Sequence, residues 1–146
     1  MRAKRILVPL EGTGPSEAAA MLAADVARSS GGSIRLLRVA PVPDQLVGQG
    51  GRVIAYLEQE MERLTAEGRD YLATIEARLD TVPVESVVRF GDPVEEILTE
   101  AEAFNADLIV VTTGERGWFK RAAGRGVSDQ VLRKAAVPVV LVRPAA

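Results

Sequence analysis

The sequence predicts an α/β fold, a three-layer domain in which an open five-stranded parallel sheet carries helices on both faces. Short runs of branched apolar residues alternate along the chain with longer segments in which apolar residues recur every three or four positions. Clusters of glycine and proline separate these segments. Because strands that alternate with helices are joined by right-handed crossovers, they form a parallel sheet that is covered on both faces.

The composition is that of an ordinary globular protein, and we expect one domain over residues 1–146. The formal net charge of -2 gives no general attraction to nucleic acid or to anionic membranes. No apolar run is long enough to span a bilayer, and the N-terminal segment does not have the form of a signal peptide. We therefore expect no nucleic-acid or membrane partner and a cytoplasmic location.

The chain contains neither histidine nor cysteine. Their absence excludes thiol nucleophiles, serine–histidine triads, histidine bases and the usual zinc sites. Carboxylates, basic side chains, hydroxyls and backbone amides remain, and these groups suit binding better than catalysis. The sequence therefore predicts a protein that is not an enzyme, with no catalytic residues, no metal and no required cofactor.

The first half of the chain is predicted to contain two strands and two helices. The strands are Arg5 to Leu10 and Ser33 to Val39, both rich in branched apolar residues. The first helix, Ser16 to Ser30, follows a turn in which Thr13 or Gly14 is the expected cap and Pro15 the first helical residue. The residues predicted on its apolar face are Ala19, Leu22, Ala23 and Val26.

A long loop, Pro41 to Gly51, leads into the longest predicted helix. The residues predicted on its apolar face are Ile54, Leu57, Met61, Leu64, Leu72, Ile75 and Leu79. Gly68 interrupts this pattern, so the helix is expected either to continue or to kink there. The carboxylates predicted on its solvated face are Glu58, Glu60, Glu62 and Glu67.

The second half is predicted to contain three strands and two helices. The strands are Val84 to Arg89, Asp107 to Thr113 and Pro138 to Arg143, and the helices are Val94 to Phe104 and Gly126 to Ala136. Asp92 is the predicted cap of the first of these helices, and Pro93 its first position. The residues of the last helix predicted to face the core are Val127, Val131, Leu132 and Ala135.

The segment from Asp107 to Gly117 runs from a buried strand into a turn that contains glycines. Ligands of parallel sheets bind beyond the carboxyl ends of the strands, and glycine turns expose amides that bind phosphate. The segment therefore predicts the rim of a phosphate site.

The basic residues that follow are Arg116, Lys120, Arg121 and Arg125, which we interpret as a solvated surface, with an anion site involving Arg116 and Arg125 as the alternative. Trp118 and Phe119 are expected to pack within the subunit.

The terminal strand is apolar at four consecutive positions, Val139, Val140, Leu141 and Val142. Its outer edge requires a cover, which is either a neighbouring strand or a second subunit.

The ordered set of segments resembles the universal stress protein family across nearly the whole chain. The matching segments are Arg5 to Thr13, Leu36 to Val39, Gly91 to Ile97, Ala106 to Val110 and Val127 to Arg143. The resemblance implies an adenine-nucleotide α-hydrolase-like fold with strand order 3-2-1-4-5, and a homodimer in which the last strands of two subunits meet.

The resemblance also implies a nucleotide pocket, because some members of the family bind ATP through the glycine motif G-x2-G-x9-G-[ST] after the fourth strand. The residues at family positions around this pocket are Leu10, Glu11, Gly12, Thr13, Val39, Val127 and Ser128. Glu11 stands where the family usually has aspartate.

Two alignments of the glycine motif are open. The ungapped alignment, which we favour, places Thr112, Glu115 and Arg125 at the three glycine positions and Gly126 at the serine or threonine position. The shifted alignment uses Gly114, Gly117 and Gly126 and requires a two-residue deletion.

The two alignments lead to different functions. In the ungapped one, Thr112 and Glu115 add bulk at the phosphate approach. Glu115 also repels a phosphate by roughly 3 kcal/mol per unit charge at about 5 Å and a dielectric constant near 20. This favours a dimeric stress protein that binds ATP weakly or not at all and acts through protein contacts. The shifted alignment favours a nucleotide sensor.

Overall fold

The computed structural model describes residues 3–12, 16–43, 50–113 and 126–143, and strands and helices alternate along them. The strands are β1 (Arg5–Pro9), β2 (Ser33–Ala40), β3 (Val84–Phe90), β4 (Leu108–Thr112) and β5 (Val139–Val142). The helices are α1 (Glu17–Ser30), α2 (Gly50–Glu76), α3 (Pro93–Phe104) and α4 (Val127–Lys134). Every strand and helix predicted from the sequence is present.

The five strands form one parallel sheet in the order β3-β2-β1-β4-β5, which confirms the predicted order. After β1 the chain moves to one side of the sheet, and from β3 it crosses to the other side to form β4. The direction of winding therefore reverses between β1 and β4, which pair at Ile6 with Leu108 and at Leu7 with Ile109.

The helices cover both faces of the sheet, as predicted. One apolar core lies between the sheet and the pair α1 and α2, and a second core lies between the sheet and α3 with α4. In β4 the residues from Leu108 to Val111 alternate between these cores and are at most 1% exposed. The predicted central strand is therefore covered on both faces.

The face of α1 that packs on the sheet differs from the prediction. It consists of alanines, Ala19, Ala20, Ala23, Ala24 and Ala27, whereas Leu22 is 38% exposed. Leu22 precedes the buried Ala23 and lies about 100° from it around the helix axis, so it turns away from the sheet. The prediction that Leu22 faces the core was wrong.

Leu132 of α4 is also a correction, because it was predicted to face the core and is 47% exposed. Its neighbour Val131 is fully buried, as is Val127 four residues earlier. Successive residues of a helix are separated by about 100° around its axis, so the residue after Val131 turns away from the sheet.

Gly68 does not interrupt α2, which runs without a break from Gly50 to Glu76. Its backbone is buried against the sheet. A methyl group added at Gly68 would lie 3.1 Å from Cγ2 of Val88 in β3 and 3.5 Å from Cγ of Arg38 in β2. The glycine is therefore at a close approach of helix and sheet, which explains its position better than a kink does.

Helix α3 begins as predicted. The side chain of Asp92 accepts a hydrogen bond from the backbone N–H of Glu95 at 3.1 Å, and Pro93 occupies the first helical turn. The helix ends at Asn105, whose positive φ of 54° gives a left-handed cap.

A network of ion pairs attaches α3 to the edge of the sheet. Glu100 is only 3% exposed and accepts hydrogen bonds from Arg35 at 2.5 Å and from Arg89 at 3.0 Å. Each arginine has a second carboxylate, Glu85 for Arg35 at 2.8 Å and Glu96 for Arg89 at 2.7 Å. Burial lowers the pKa of Arg35, but its hydrogen bonds to Glu100 and Glu85 raise it above the ordinary value. The charged groups are therefore held in place by one another.

Among the residues that the structure describes, no helix has both the length and the apolar character needed to cross a membrane.

Candidate functional site

The candidate site is the crevice at the carboxyl ends of β1 and β4. Ligands of open α/β sheets bind where the winding direction reverses, because the loops after the two central strands there lead to opposite faces. Helix α1 begins beyond β1 at Glu17, and α4 begins beyond β4 at Val127. Two helix N-termini therefore flank the crevice, and each contributes a partial positive charge.

The β1 side of the crevice contains three of the predicted nucleotide residues. Leu10 is fully buried, and its backbone N–H donates to the carbonyl of Leu37 at 2.8 Å. Glu11 is partly buried, and Gly12 is exposed with φ of 91°. Residues with a side chain rarely adopt this φ, so the glycine allows β1 to turn sharply at the sheet edge.

The β2 side is formed by the end of β2, which extends beyond the end of β1. The pairing of β1 with β2 ends at Pro9 and Leu37, whereas β2 continues to Ala40. Backbone groups of Ser33 and Leu37 bond toward β1, and those of Ile34 and Ala40 bond toward β3. Val39 follows Leu37 by two residues, so its carbonyl points toward β1, beyond the last pair of that ladder. We call the position of the Val39 carbonyl, beyond the last β1–β2 pair, the notch.

Arg38 lies at the notch. Its Nη1 donates a hydrogen bond to the carbonyl oxygen of Val39 at 2.7 Å. Burial lowers the pKa of its guanidinium below the ordinary arginine value, while the nearby Tyr71 and Glu11 act to raise it. Burial likewise raises the pKa of the Tyr71 phenol. The notch therefore holds a partly desolvated cation next to an acid and a phenol.

The β4 side contains Thr112, which was predicted to stand at a glycine position. Thr112 is 4% exposed, and its hydroxyl donates to the carbonyl of Ser16 at 3.2 Å. The bond links the end of β4 to the start of α1. The hydroxyl thus satisfies a carbonyl within the protein at the edge of the crevice.

The first turn of α4 contains the remaining described site residues. Gly126 is the N-cap, with φ of -68° and ψ of 165°, and Val127 and Ser128 are buried. Within the described residues, no group of three or more acidic side chains is arranged to hold a metal ion.

A model of the universal stress protein family matches residues 2–143. The chain belongs to the universal stress protein family. Universal stress protein MJ0531 of Methanocaldococcus jannaschii is 29% identical over 143 residues, which covers 96% of this chain and 82% of that protein.

Solved structures of universal stress proteins have the same fold. UspA from Lactobacillus plantarum superposes with a TM-score of 0.81 at 20% identity, covering 98% of this chain and 99% of that one. A universal stress protein from Arabidopsis thaliana with AMP bound gives a TM-score of 0.63 at 19% identity, covering 98% and 93%. At these identities the likeness establishes the fold alone.

Several predicted site residues of this universal stress protein lie outside the described part of the chain. They are Thr13, Gly114, Glu115, Arg116, Gly117 and Arg125, together with the aromatic pair Trp118 and Phe119 and the predicted cap and first residue of α1, Gly14 and Pro15. The two alignments of the glycine motif stay predictions for that reason.

Arg38 and Tyr71 are the site residues that the sequence interpretation missed. Arg38 has the same parity in β2 as Ile34 and Leu36, which face the core under α1 and α2. A charged residue on the buried face of a strand was the signal that would have identified Arg38. Tyr71 precedes the buried Leu72 of α2, and nothing in the helical pattern distinguished it.

Proposed function

We propose that this universal stress protein acts in the stress response through protein contacts, as a homodimer, and that it binds ATP weakly or not at all. The observation that carries the proposal is the set of side chains at the glycine positions of the ungapped alignment, Thr112, Glu115 and Arg125. A phosphate cradle needs backbone amides that a ligand approaches closely, and Glu115 adds a negative charge there. The composition, without histidine or cysteine, supports a role that is not enzymatic. The proposed location is the cytoplasm.

Calorimetric titration of ATP into the purified protein tests the nucleotide part of the proposal. We expect no binding in the micromolar range for the wild type. The matched variant replaces Thr112 and Glu115 by glycine, which restores the family pattern at two positions and removes one negative charge. We expect this variant to gain affinity on the order of a hundredfold, from the roughly 3 kcal/mol of phosphate repulsion. Micromolar ATP binding by the wild type would refute the proposal.

The dimer part is supported by the position of β5. It is the last strand of the sheet order, and its four residues are only partly buried. The backbone groups of Pro138 and Val142 bond toward β4, so those of Val139 and Leu141 point to the outer edge. Within the described residues, no backbone hydrogen bond reaches these outward groups. An apolar edge strand with such donors and acceptors is a template for pairing with a second copy.

Sedimentation velocity at micromolar concentration tests the dimer. Leu141→Pro removes an outward N–H and leaves the inward bonds from β5 to β4 in place, so we expect it to shift the protein toward monomer. Leu141→Ala keeps the N–H and serves as the control for the lost side chain. A wild-type monomer, or a proline variant that dimerises as well as the alanine variant, would exclude pairing through this edge.

A nucleotide sensor is the second candidate, favoured by the AMP bound to the Arabidopsis relative. It requires the shifted cradle of Gly114, Gly117 and Gly126. Here Gly114→Asp and Arg125→Glu should each weaken ATP binding sharply, and binding that is indifferent to both substitutions would eliminate it.

A further inference from the structure

The carbonyl oxygen of Val39 is an acceptor at the edge of the crevice. It lies beyond the end of the pairing between β1 and β2, where β1 has turned away at Gly12. A backbone acceptor in such a position suits the amino edge of a base, because an exocyclic amino group is a hydrogen-bond donor.

Arg38 changes the character of this acceptor. Its Nη1 already donates to the Val39 oxygen at 2.7 Å, so the notch presents a cation with several N–H donors. An amino group of a ligand is itself a donor, so at the Val39 oxygen it meets the N–H donors of Arg38 and is disfavoured. A carbonyl oxygen of a ligand is an acceptor and can bond to these N–H groups.

The hydrogen bond to the Val39 oxygen holds the guanidinium at the notch, and the rest of the side chain lies beside two glycines. The Arg38 stem runs below α2, where Cγ lies 3.5 Å from the position of a methyl group added to Gly68. Beyond the stem, Nε and Cζ lie 3.7 and 3.9 Å from the position of a methyl group added to Gly12. Two glycines therefore border the arginine at ordinary contact distances, one beside the stem and one beside the head.

We propose that Arg38 determines which base the notch accepts, disfavouring adenine, which has an amino group at position 6, and favouring guanine, which has the oxygen O6 at that position. This deepens the proposed function, on which it rests, by giving a second reason for weak ATP binding besides the altered glycine positions. The guanidinium is also a common partner of guanine O6 and N7 in nucleic-acid recognition, where its fork matches two acceptors. The base that fits the notch is therefore guanine, and the altered glycine positions weaken the phosphate contacts of guanine and adenine nucleotides alike.

The test compares AMP with GMP in the wild type and in Arg38→Met, by calorimetric or NMR titration up to millimolar concentration. Methionine keeps an unbranched stem beside Gly68 and removes the donors and the charge. An unfavourable contact of a buried donor with another donor corresponds to about a tenfold loss in affinity. We therefore expect Arg38→Met to bind AMP about tenfold more tightly than the wild type does, and to lose preference for GMP.

An Arg38→Met variant that binds AMP no better than the wild type overturns the proposal. Arg38→Lys guards against a folding defect in the methionine variant, because it retains charge and stem while losing the fork. It should shift the AMP to GMP ratio in the same direction by a smaller factor, and a ratio that does not move has the same consequence as failure of Arg38→Met. Circular dichroism melting shows whether each variant is folded.

Arg63→Met is the matched control. Arg63 lies on the exposed side of α2, paired with Glu60 and Glu67, and its side chain is 53% exposed. Its replacement should leave the ratio unchanged. The proposed function is judged separately, by ATP titration of the wild type, so tight ATP binding would refute that proposal, whereas the ratio in the Arg38 variants decides the role of the arginine.

Discussion

Replacing Glu100 by glutamine tests how the charged network contributes to stability. The side chain of Glu100 is 4% exposed, and its carboxylate is shared by two arginines whose side chains are 20% and 31% exposed. Glutamine has nearly the same shape, but one of its terminal groups is an NH2 that faces guanidinium N–H groups. One charge-assisted hydrogen bond is lost, and the other is weakened because its acceptor is no longer charged.

The expected cost is about 2 kcal/mol, since a hydrogen bond to a charged group contributes roughly 1.5–3 kcal/mol. It is below the roughly 3–5 kcal/mol of a fully buried broken pair, because both arginines are partly solvated and keep a second carboxylate. For a chain of this size, such a loss lowers the melting temperature by roughly 4–8 °C.

Urea denaturation at neutral pH measures the free energy of unfolding of the wild type and the variant. Glu102→Gln is the control, because Glu102 is exposed on the same helix and the substitution removes the same charge. We expect the control to stay within about 0.5 kcal/mol of the wild type. If Glu100→Gln were as stable as Glu102→Gln, the network would not contribute measurably to the free energy of unfolding.

Substitutions at three further residues test single contacts. Gly68→Val should destabilise by about 2 kcal/mol in urea denaturation, because the added atoms overpack Val88 at the helix–sheet contact; an unchanged stability would contradict that contact. Asp92→Ala should cost about 1 kcal/mol through loss of the cap on the N–H of Glu95, and Asp92→Asn should restore most of it. The raised pKa of Tyr71 implies that the folded state favours its protonated form, so stability is full below the ordinary pKa of 10.0 and falls as pH rises through the folded-state value. Tyr71→Phe should reduce this loss of stability above pH 10. If the free energy of unfolding depended on pH in the same way in the wild type and the variant, burial of Tyr71 would not be its cause.

The strand order, the helices and the cap of α3 follow from local patterns or from the family resemblance, and these predictions are confirmed. The buried faces of α1 and α4 were predicted less accurately, since Leu22 and Leu132 are exposed. A helical period identifies an apolar stripe, but the orientation of the helix on the sheet decides which part of the stripe is buried. In α1 that part is the alanine face, and Leu22 lies about 100° from Ala23 around the helix axis.

Gly68 and Arg38 depart from the patterns of their elements, but the sequence does not show what each residue contacts. Each is unfavourable in its own element, since glycine weakens a helix and a charge is costly on a buried strand face. A methyl group added at Gly68 would be in ordinary contact with Cγ of Arg38, at 3.5 Å, and in tight contact with Cγ2 of Val88, at 3.1 Å. The glycine is therefore explained by the approach of α2 to β3, and the arginine by its position at the carboxyl end of β2; a pattern limited to one element shows neither contact.

The backbone of Gly126 bears on the choice between the two alignments of the glycine motif. Its φ of -68° and ψ of 165° are those of an N-cap, a position at which serine and threonine are preferred. A side chain at residue 126 therefore meets no conformational obstacle, and the ungapped alignment, which expects serine or threonine there, is compatible with this geometry. In the shifted alignment Gly126 would be needed for close approach of a phosphate rather than for its φ. Substitution of Gly126 by serine is thus tolerated by the backbone in either case, and the discrimination between the alignments rests on Gly114 and on the charge at Glu115.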